Sequence, residues 1–146
     1  PPLIVKQAIL LRQGIPESTW VETGTHLGET TKFLANNFKA VHTIEPSELY
    51  LDIAKKYIGK KNNVSYHLGT SEECFSDVLE VISGNISFWL DGHFSGGDTF
   101  LGEFETPIKY ELDLISKMKD KYKSIAVFID DLDCCYQKPE INGSIP

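Results

Sequence analysis

The sequence contains little cysteine, and this shortage excludes two classes of protein. Only three cysteines occur among 146 residues, namely Cys74 and the adjacent pair Cys134 and Cys135. An odd number without a Cys-x-x-Cys spacing supplies neither a disulfide framework nor a zinc site, and it suits a reducing compartment. We therefore expect a cytoplasmic protein.

Long apolar runs and an excess of basic residues are also missing. No stretch approaches the roughly 18 apolar residues that a transmembrane helix requires, so we expect no membrane association. Lysine and arginine number 14 against 21 acidic residues, which gives a formal net charge of -7. Because phosphate backbones attract basic surfaces, we expect no nucleic-acid partner.

The composition that is present is that of one globular domain. Hydrophobic residues make up 41% of the chain and charged residues 24%, which is ordinary for a folded protein. A length of 146 residues fits one hydrophobic core. Since no repeat or linker interrupts the pattern, we expect a single domain over residues 1–146.

Five short apolar runs alternate with segments of helical period. The runs predict strands over residues 19–23, 41–45, 64–68, 86–90 and 124–129. Strands that alternate with helices of this length are joined by right-handed crossovers and form a parallel sheet covered on both faces. The sequence therefore predicts an α/β protein with a Rossmann-like, doubly wound parallel sheet.

The helical segments carry apolar residues at helical spacing, which predicts the faces that they bury. A cap is also predicted for the fourth helix, since Thr70 and Glu73 have the spacing of a capping box. The predicted faces are Ile4, Ala8 and Leu11; Leu49, Ile53 and Tyr57; Phe75, Val78, Leu79 and Ile82; and Ile108, Leu112, Ile115 and Met118.

A glycine turn follows the first predicted strand, in the segment Glu22–Gly28. Ligands of such sheets bind beyond the carboxyl ends of the strands. A dinucleotide-binding turn would read Gly-x-Gly-x-x-Gly, whereas here only Gly24 and Gly28 are present. NAD and FAD are therefore disfavoured, and Glu22 is better suited to a cationic ligand, contacted directly or through water.

Four segments at predicted strand ends resemble the motifs of class I S-adenosylmethionine-dependent methyltransferases. They are VETGTHLGET at 21–30, VHTIEPS at 41–47, HLGTSEE at 67–73 and FWLDGH at 88–93. The resemblance implies the strand order 3-2-1-4-5 and S-adenosylmethionine as cofactor. It also implies cofactor-binding roles for Glu22, Gly24, Thr25 and Gly28 in the turn, Glu45 at the ribose, Gly69, Thr70 and Ser71 at the adenine, and Asp91 beside the methyl group.

Three carboxylates, Asp91, Asp130 and Asp131, end the fourth and fifth predicted strands. Three negative charges at one edge repel one another unless a cation lies between them. Oxygen ligands favour Mg²⁺, with Ca²⁺ or Mn²⁺ as alternatives. The arrangement resembles metal-dependent O-methyltransferases, which implies these residues as ligands. Asp91 and His93 are then the catalytic candidates, with His93 as general base. Alternatively, the aspartates cap turns and His93 holds its own loop.

The end of the chain departs from the family pattern. Two further strands are usual in this fold, whereas only residues 132–146 follow here, and they contain Pro139, Asn142 and Gly143. The chain is thus either truncated or a minimal form. An uncovered fifth strand is an exposed edge that a second copy would cover, so a homodimer is expected.

These motifs predict a methyltransferase of class EC 2.1.1 that methylates a hydroxyl of a small molecule or sugar. The alternative is a non-catalytic binding module with the same fold.

Overall fold

The computed structural model describes residues 2–91 and 107–130. The strands are β1 Thr19–Thr23, β2 Ala40–Glu45, β3 Val64–Leu68, β4 Gly84–Asp91 and β5 Tyr122–Asp130. The helices are α1 Leu3–Gln13, α2 Glu29–Asn37, α3 Glu48–Ile58, α4 Ser71–Val81 and α5 Pro107–Met118, with a 3₁₀ turn at Lys119–Lys121. Within these ranges, no helix is both long and apolar enough to cross a membrane.

The five strands form one parallel sheet in the order β3-β2-β1-β4-β5. This confirms the predicted fold class and strand order. In the register, Glu45 lies opposite Leu68, and Asp91 lies opposite Asp130. The carboxyl ends of the strands therefore meet along one edge of the sheet, where ligands of such folds bind.

Each face of the sheet buries its own hydrophobic core. Trp20 is fully buried on the face that α1 and α2 cover, and its ring packs on Phe38 and Phe128 at centroid distances of 4.9 and 5.4 Å. Val21 belongs to the opposite core, with α4 and α5. Because side chains alternate along a strand, Glu22 points to the α1 and α2 face and Thr23 to the α4 and α5 face.

The buried faces predicted for α1 and α3 were wrong. In α1 only Leu10 is buried, whereas Ile4 and Leu11 are exposed by 75% and 53%. In α3 the exposed residues are Leu49, Ile53 and Tyr57, and the buried ones are Leu51, Ala54 and Ile58.

The reason for the α3 error lies in the tertiary contact of that helix. A Cβ atom on Gly28 would lie 3.0 Å from the Cβ of Ala54. The close approach requires small residues on both sides, so the helix turns Ala54 rather than Ile53 toward α2. Two overlapping apolar faces satisfy the helical period equally well, and only this contact selects between them.

The prediction for α4 was confirmed. Thr70 and Glu73 form the capping box, and Phe75, Val78, Leu79 and Ile82 are buried. In α5, Ile108 and Ile115 are buried as expected, but the face between them presents Glu111 rather than Leu112. Glu111 is 2% exposed, and Leu112 is 36% exposed.

Two histidines pair across β2 and β3. The Nδ1 of His42 lies 3.0 Å from the Nε2 of His67, and their rings stack with centroids 5.3 Å apart. Burial lowers the pKa of both imidazoles, and the neighbouring His67 lowers the pKa of His42 further. The folded chain therefore favours the neutral form of this pair.

We predict that acid destabilises the fold through these histidines. As pH falls below the ordinary imidazole pKa of 6.5, the unfolded chain takes up protons that the folded chain resists, so the free energy of unfolding decreases. In urea unfolding followed over a pH series, His67→Gln should make the curve flatter on its acid side. The control is the exposed His26→Asn, which removes an imidazole outside the pair. Equal slopes for the original chain and His67→Gln would contradict the prediction.

Candidate functional site

Two pockets open at the carboxyl edge of the sheet, and both are lined by Gly24 and Asp91. The first, here called the acidic pocket, lies on the α1 side and is also lined by Leu3, Lys6, Thr25, His26, Leu27, Glu29, Thr30, Trp89 and Asp130. The second, here called the apolar pocket, lies on the α5 side and is also lined by Thr23, Ile44, Pro46, Gly69, Thr70, Ser71, Glu72, Pro107 and Glu111. The two pockets, which share Gly24 and Asp91, are together called the crevice below.

The turn after β1 requires glycine at its first position. Gly24 has φ +89°, and its amide donates to the carbonyl of Ile44 at 2.9 Å. A Cβ atom on Gly24 would lie 3.2 Å from the Cβ of Asp91. The backbone thus approaches the end of β4 closely at the junction between the two pockets.

The second glycine of the turn has a different role. Gly28 precedes α2 in the left-handed conformation and faces Ala54 and Ile58 of α3. It lines neither pocket. Its position supports packing of α2 on α3, whereas Gly24 and Thr25 line the crevice.

Glu22 lies under the turn as a fully buried carboxyl. Its Oε2 accepts hydrogen bonds from the hydroxyls of Thr31 and Thr43, the latter at 2.7 Å. The hydroxyls of Thr25 and Thr43 lie 2.6 Å apart. Since the single proton of Thr43 goes to Glu22, Thr25 is the donor to Thr43. This chain of hydroxyls ties the turn to α2 and β2.

Burial raises the pKa of Glu22 to about 7, and the nearby Asp91 and Glu45 act in the same direction. The two threonine hydroxyls oppose this shift. Among the described residues, Oε1 of Glu22 has no hydrogen-bond partner. Glu22 lines neither pocket. It therefore stabilises the turn from below and does not contact a ligand in either pocket.

Glu45 ends β2, next in the chain to Pro46, and is 6% exposed. It is not among the residues that line either pocket, although its neighbours Ile44 and Pro46 line the apolar one. One carboxylate oxygen accepts the amide of His26 at 2.9 Å, and the other accepts the amide of Ser47 at 3.0 Å. A carboxylate has about four acceptor sites, so these two bonds leave capacity for further donors.

The segment after β3 forms the wall of the apolar pocket. Gly69 donates its amide to the carbonyl of Glu45 at 3.0 Å, which joins the ends of β2 and β3. Thr70 caps α4 through the amide of Glu73 at 3.3 Å. The hydroxyl of Ser71 donates to Oε1 of Glu111. All three predicted residues thus line the pocket, and Thr70 is also engaged as a helix cap.

Asp91 and Asp130 end adjacent strands and both line the acidic pocket. The ammonium group of Lys6 on α1 pairs with Asp130 and lies 5.8 Å from the centre of the Trp89 ring. Within residues 2–91 and 107–130, no group of three or more acidic, histidine or cysteine side chains is placed to hold a metal. A metal site is thus not supported among these residues, where Asp130 is paired with Lys6. His93 and Asp131 lie outside the described residues.

Two residues of this crevice were missed from the sequence. Lys6 was missed because Ile4, Ala8 and Leu11 were expected to form the buried face of α1. Glu111 was missed because the apolar Leu112, rather than an acidic residue, was expected on the buried face of α5. The available signal was the spacing of Ile108, Glu111 and Ile115, which places an acid within the buried stripe.

Solved structures of the same fold were found, although no protein-family model and no curated protein matches the sequence. A Streptococcus mutans protein assigned as a methyltransferase and crystallised with SAH is 16% identical, with a TM-score of 0.59 over 84% of this chain and 67% of its own. An rRNA methylase from Streptococcus thermophilus is 18% identical, with a TM-score of 0.60 over 92% of this chain and 75% of its own.

A SAM-dependent methyltransferase from Anabaena variabilis is 19% identical, with a TM-score of 0.59 over 87% of this chain and 49% of its own. The chain thus spans about half the length of that protein. These likenesses show that the chain has the fold of class I S-adenosylmethionine-dependent methyltransferases.

We predict that raising the pH from about 5 to about 8 destabilises the fold through Glu22. Its folded pKa of about 7 exceeds its ordinary value of 4.5, so stability is complete below that ordinary value and is lost as pH rises through 7. The loss amounts to at most about 3 kcal/mol. Glu22→Gln keeps the shape of the side chain but cannot ionise, so its unfolding free energy should change less between about pH 5 and pH 8.

Glu48→Gln serves as the matched control, because it makes the same substitution at an exposed position. Part of the slope should persist in Glu22→Gln, because burial also raises the pKa of Glu111 to about 7. A Glu22→Gln curve that overlays the original one would show that Glu22 is ionised in the folded chain.

Proposed function

We propose that this chain binds S-adenosylmethionine along the crevice and transfers its methyl group to an acceptor. The observation that carries the proposal is the junction at Gly24 and Asp91. On one side lies a pocket with the apolar walls Ile44, Pro46 and Pro107, and on the other lies a pocket lined by Glu29 and Asp130. The cofactor has the matching division, with a flat purine at one end and a cationic amino acid at the other.

The described residues fit this cofactor. In the apolar pocket, Ile44 and Pro46 offer a surface for the adenine, and Ser71 offers a hydroxyl. Glu45, flanked in the chain by Ile44 and Pro46 of the apolar pocket, has spare acceptor capacity for the two ribose hydroxyls. In the acidic pocket, Asp91 and Glu29 offer negative charge to the amino group and the sulfonium.

When bound, S-adenosylmethionine supplies a methyl group activated by its positively charged sulfur. The task of the chain is then to align the acceptor and to receive its proton. Asp91 lies at the junction of the pockets, where its carboxylate favours the cationic end of the cofactor. His93 follows Asp91 by two residues, and we propose it as the base that accepts the proton of the acceptor.

A small molecule or sugar with a hydroxyl group is the acceptor that we propose. Three acidic residues, Glu29, Asp91 and Asp130, line the acidic pocket together with the single lysine Lys6, and the net charge of the chain is -7. The negative charge around this pocket repels a polyanion such as RNA. The rRNA methylase among the proteins of the same fold makes RNA the second candidate. Methyl transfer to a panel of hydroxylated small molecules and to total RNA would distinguish the two.

A binding module without catalytic activity is the alternative function. It shares the cofactor crevice but requires no base, so it would bind SAH and show no methyl transfer. Comparing the original chain with His93→Ala separates the two functions, because only an enzyme loses turnover while its SAH affinity is retained.

Substitution of Gly24 should weaken cofactor binding. In Gly24→Ala the new methyl group would meet Asp91 at 3.2 Å, and the residue would keep an unfavourable φ of +89°. We expect the affinity for SAH, measured by titration calorimetry, to fall at least about tenfold, which corresponds to 1.4 kcal/mol.

Gly59→Ala is the matched control for this substitution. Gly59 also has a positive φ, of +73°, but a Cβ atom there meets nothing within 4 Å. Both variants should therefore lose similar stability from backbone strain, while Gly59→Ala keeps its affinity for SAH. Equal affinities of the two variants would mean that the ligand does not occupy the junction.

Glu45 provides a second test of the cofactor site. Glu45→Gln replaces one acceptor oxygen by a donor, so it should weaken SAH binding by roughly tenfold if the carboxylate accepts both ribose hydroxyls. The binding of S-2′-deoxyadenosylhomocysteine, which lacks one hydroxyl, should weaken less. If Glu45→Gln weakened both ligands equally, Glu45 would act only by tying His26 to Ser47.

A further inference from the structure

Lysines concentrate around the ends of α2 and α3, although the chain as a whole is acidic. Four lysines and no acid occur between Asp52 and Glu72. Together with neighbouring residues they form what is here called the lysine surface. Its members are exposed or partly exposed, and they are Lys39, Lys55, Lys56, Lys60 and Lys61, with Asn36, Tyr57 and Asn62.

Contacts between α2, α3 and β3 make this surface continuous. Lys61, in the loop after α3, donates to the side chain of Asn36 on α2. Lys32 of α2 donates to the carbonyl of Tyr57 at 3.1 Å, and its Nζ lies 4.4 Å from the centre of that ring. Towards β3, the Nζ of Lys55 lies 5.6 Å from the centre of the Tyr66 ring.

The lysine surface lies at the amino edge of the sheet, where the strands begin, and thus opposite the crevice. α2 and α3 each lead from the carboxyl end of one parallel strand to the amino end of the next. The side-chain amide of Asn63 donates to the carbonyl of Ala35 at 2.8 Å, which joins the segment after α3 to the end of α2. The net charge of -7 therefore conceals a separation of charge, with the acidic pocket at one edge and these lysines at the other.

The helix dipole does not account for all of these lysines. It favours basic residues in the last turn of a helix, which applies to Lys55 and Lys56 at the end of α3. Lys39, Lys60 and Lys61 lie beyond the ends of their helices, and α2 has no basic residue in its last turn.

Ion pairs elsewhere in the fold give a comparison. In the parts of the chain that the structure describes, the lysines that pair with acids are Lys6, Lys109 and Lys121, and none belongs to the lysine surface. Lys121 follows α5 and lies 3.8 Å from Glu80. The lysines after α5 are therefore partly compensated by acid, whereas those after α3 retain their charge for an anionic ligand.

We propose that the lysine surface binds a single-stranded nucleic acid, with lysines at successive phosphates and Tyr57 stacked on a base. Lysine binds phosphate as a point charge, and an aromatic ring stacks on bases of any sequence. Tyr57 is 50% exposed and lies among the lysines. This inference goes beyond the proposed function, because a strand bound at the amino edge is not presented to the methyl group.

An anionic bilayer fits this surface less well than a nucleic acid. Helices that bind bilayers insert apolar side chains beside their lysines. The exposed aliphatic residues of α3, Leu49 and Ile53, lie in its first half together with Glu48 and Asp52. The lysines instead adjoin side-chain amides, which hydrogen-bond to sugars and bases.

The test measures the binding of fluorescein-labelled oligouridine and oligothymidine of about 20 nucleotides by fluorescence anisotropy. The original chain should bind at least one of them at about 50 mM salt and release it as salt is added. Lys56→Gln combined with Lys60→Gln should weaken binding at least about tenfold. It should also reduce the slope of log affinity against log salt by about 1.4, because each phosphate contact contributes about 0.7. Tyr57→Leu should weaken binding roughly tenfold and leave the slope unchanged.

Lys117→Gln combined with Lys119→Gln is the matched control, because it removes the same charge from exposed positions around the end of α5. This variant should bind as the original chain does. Equal weakening by the two double variants would overturn the proposal, since binding would then follow overall charge. No binding at about 100 μM protein would also overturn it. Binding of polyglutamate or of phosphatidylserine vesicles as tight as that of the oligonucleotides would overturn it too.

Two further measurements separate this inference from other causes of failure. Urea unfolding should give similar midpoints for all variants, since the substituted side chains are exposed. A titration with SAH tests the proposed function independently. A chain that binds the oligonucleotide through the lysine surface but does not bind SAH would contradict the proposed function and support this inference.

Discussion

The close approach of the β1 turn to the end of β4 is the constraint on which the site depends. A Cβ atom at position 24 would lie only 3.2 Å from the Cβ of Asp91, which is closer than an ordinary van der Waals contact. This approach divides the carboxyl edge into two pockets of different chemistry and places one carboxylate, Asp91, in the lining of both. A larger residue at position 24 would separate β1 from β4 at the point where the proposed cofactor bends from its nucleoside to its amino acid.

Buried acids support this junction from both sides of the sheet. Glu22 lies below the turn on the α2 face, and Glu111 lies beside the apolar pocket on the α5 face. Burial raises the pKa of each to about 7, so both destabilise the fold as they ionise. Hydroxyls of threonine and serine offset part of that cost. Such an arrangement exchanges stability for a rigid site, which is common where function requires buried polar groups.

Much of the architecture could be predicted from the sequence, because apolar period and strand-end chemistry are local properties. Residues 19–23 and 64–68 were predicted as strands with the observed bounds, and the capping box of α4 was predicted from Thr70 and Glu73. The buried faces of α1 and α3 could not be predicted. Each helix carries more than one apolar stripe, and the choice depends on contacts such as that between Gly28 and Ala54.

The sequence by itself determined the parallel sheet and the set of polar residues at its carboxyl edge, since alternation and turn residues act within a few positions of the chain. Only the tertiary structure decided how those residues are used. It buried Glu22 among threonines, paired Asp130 with Lys6 from a helix 124 residues away, and brought Glu111 to Ser71. The physical reason is that burial, charge pairing and hydrogen bonding depend on which elements come together, and sequence spacing does not encode those distances.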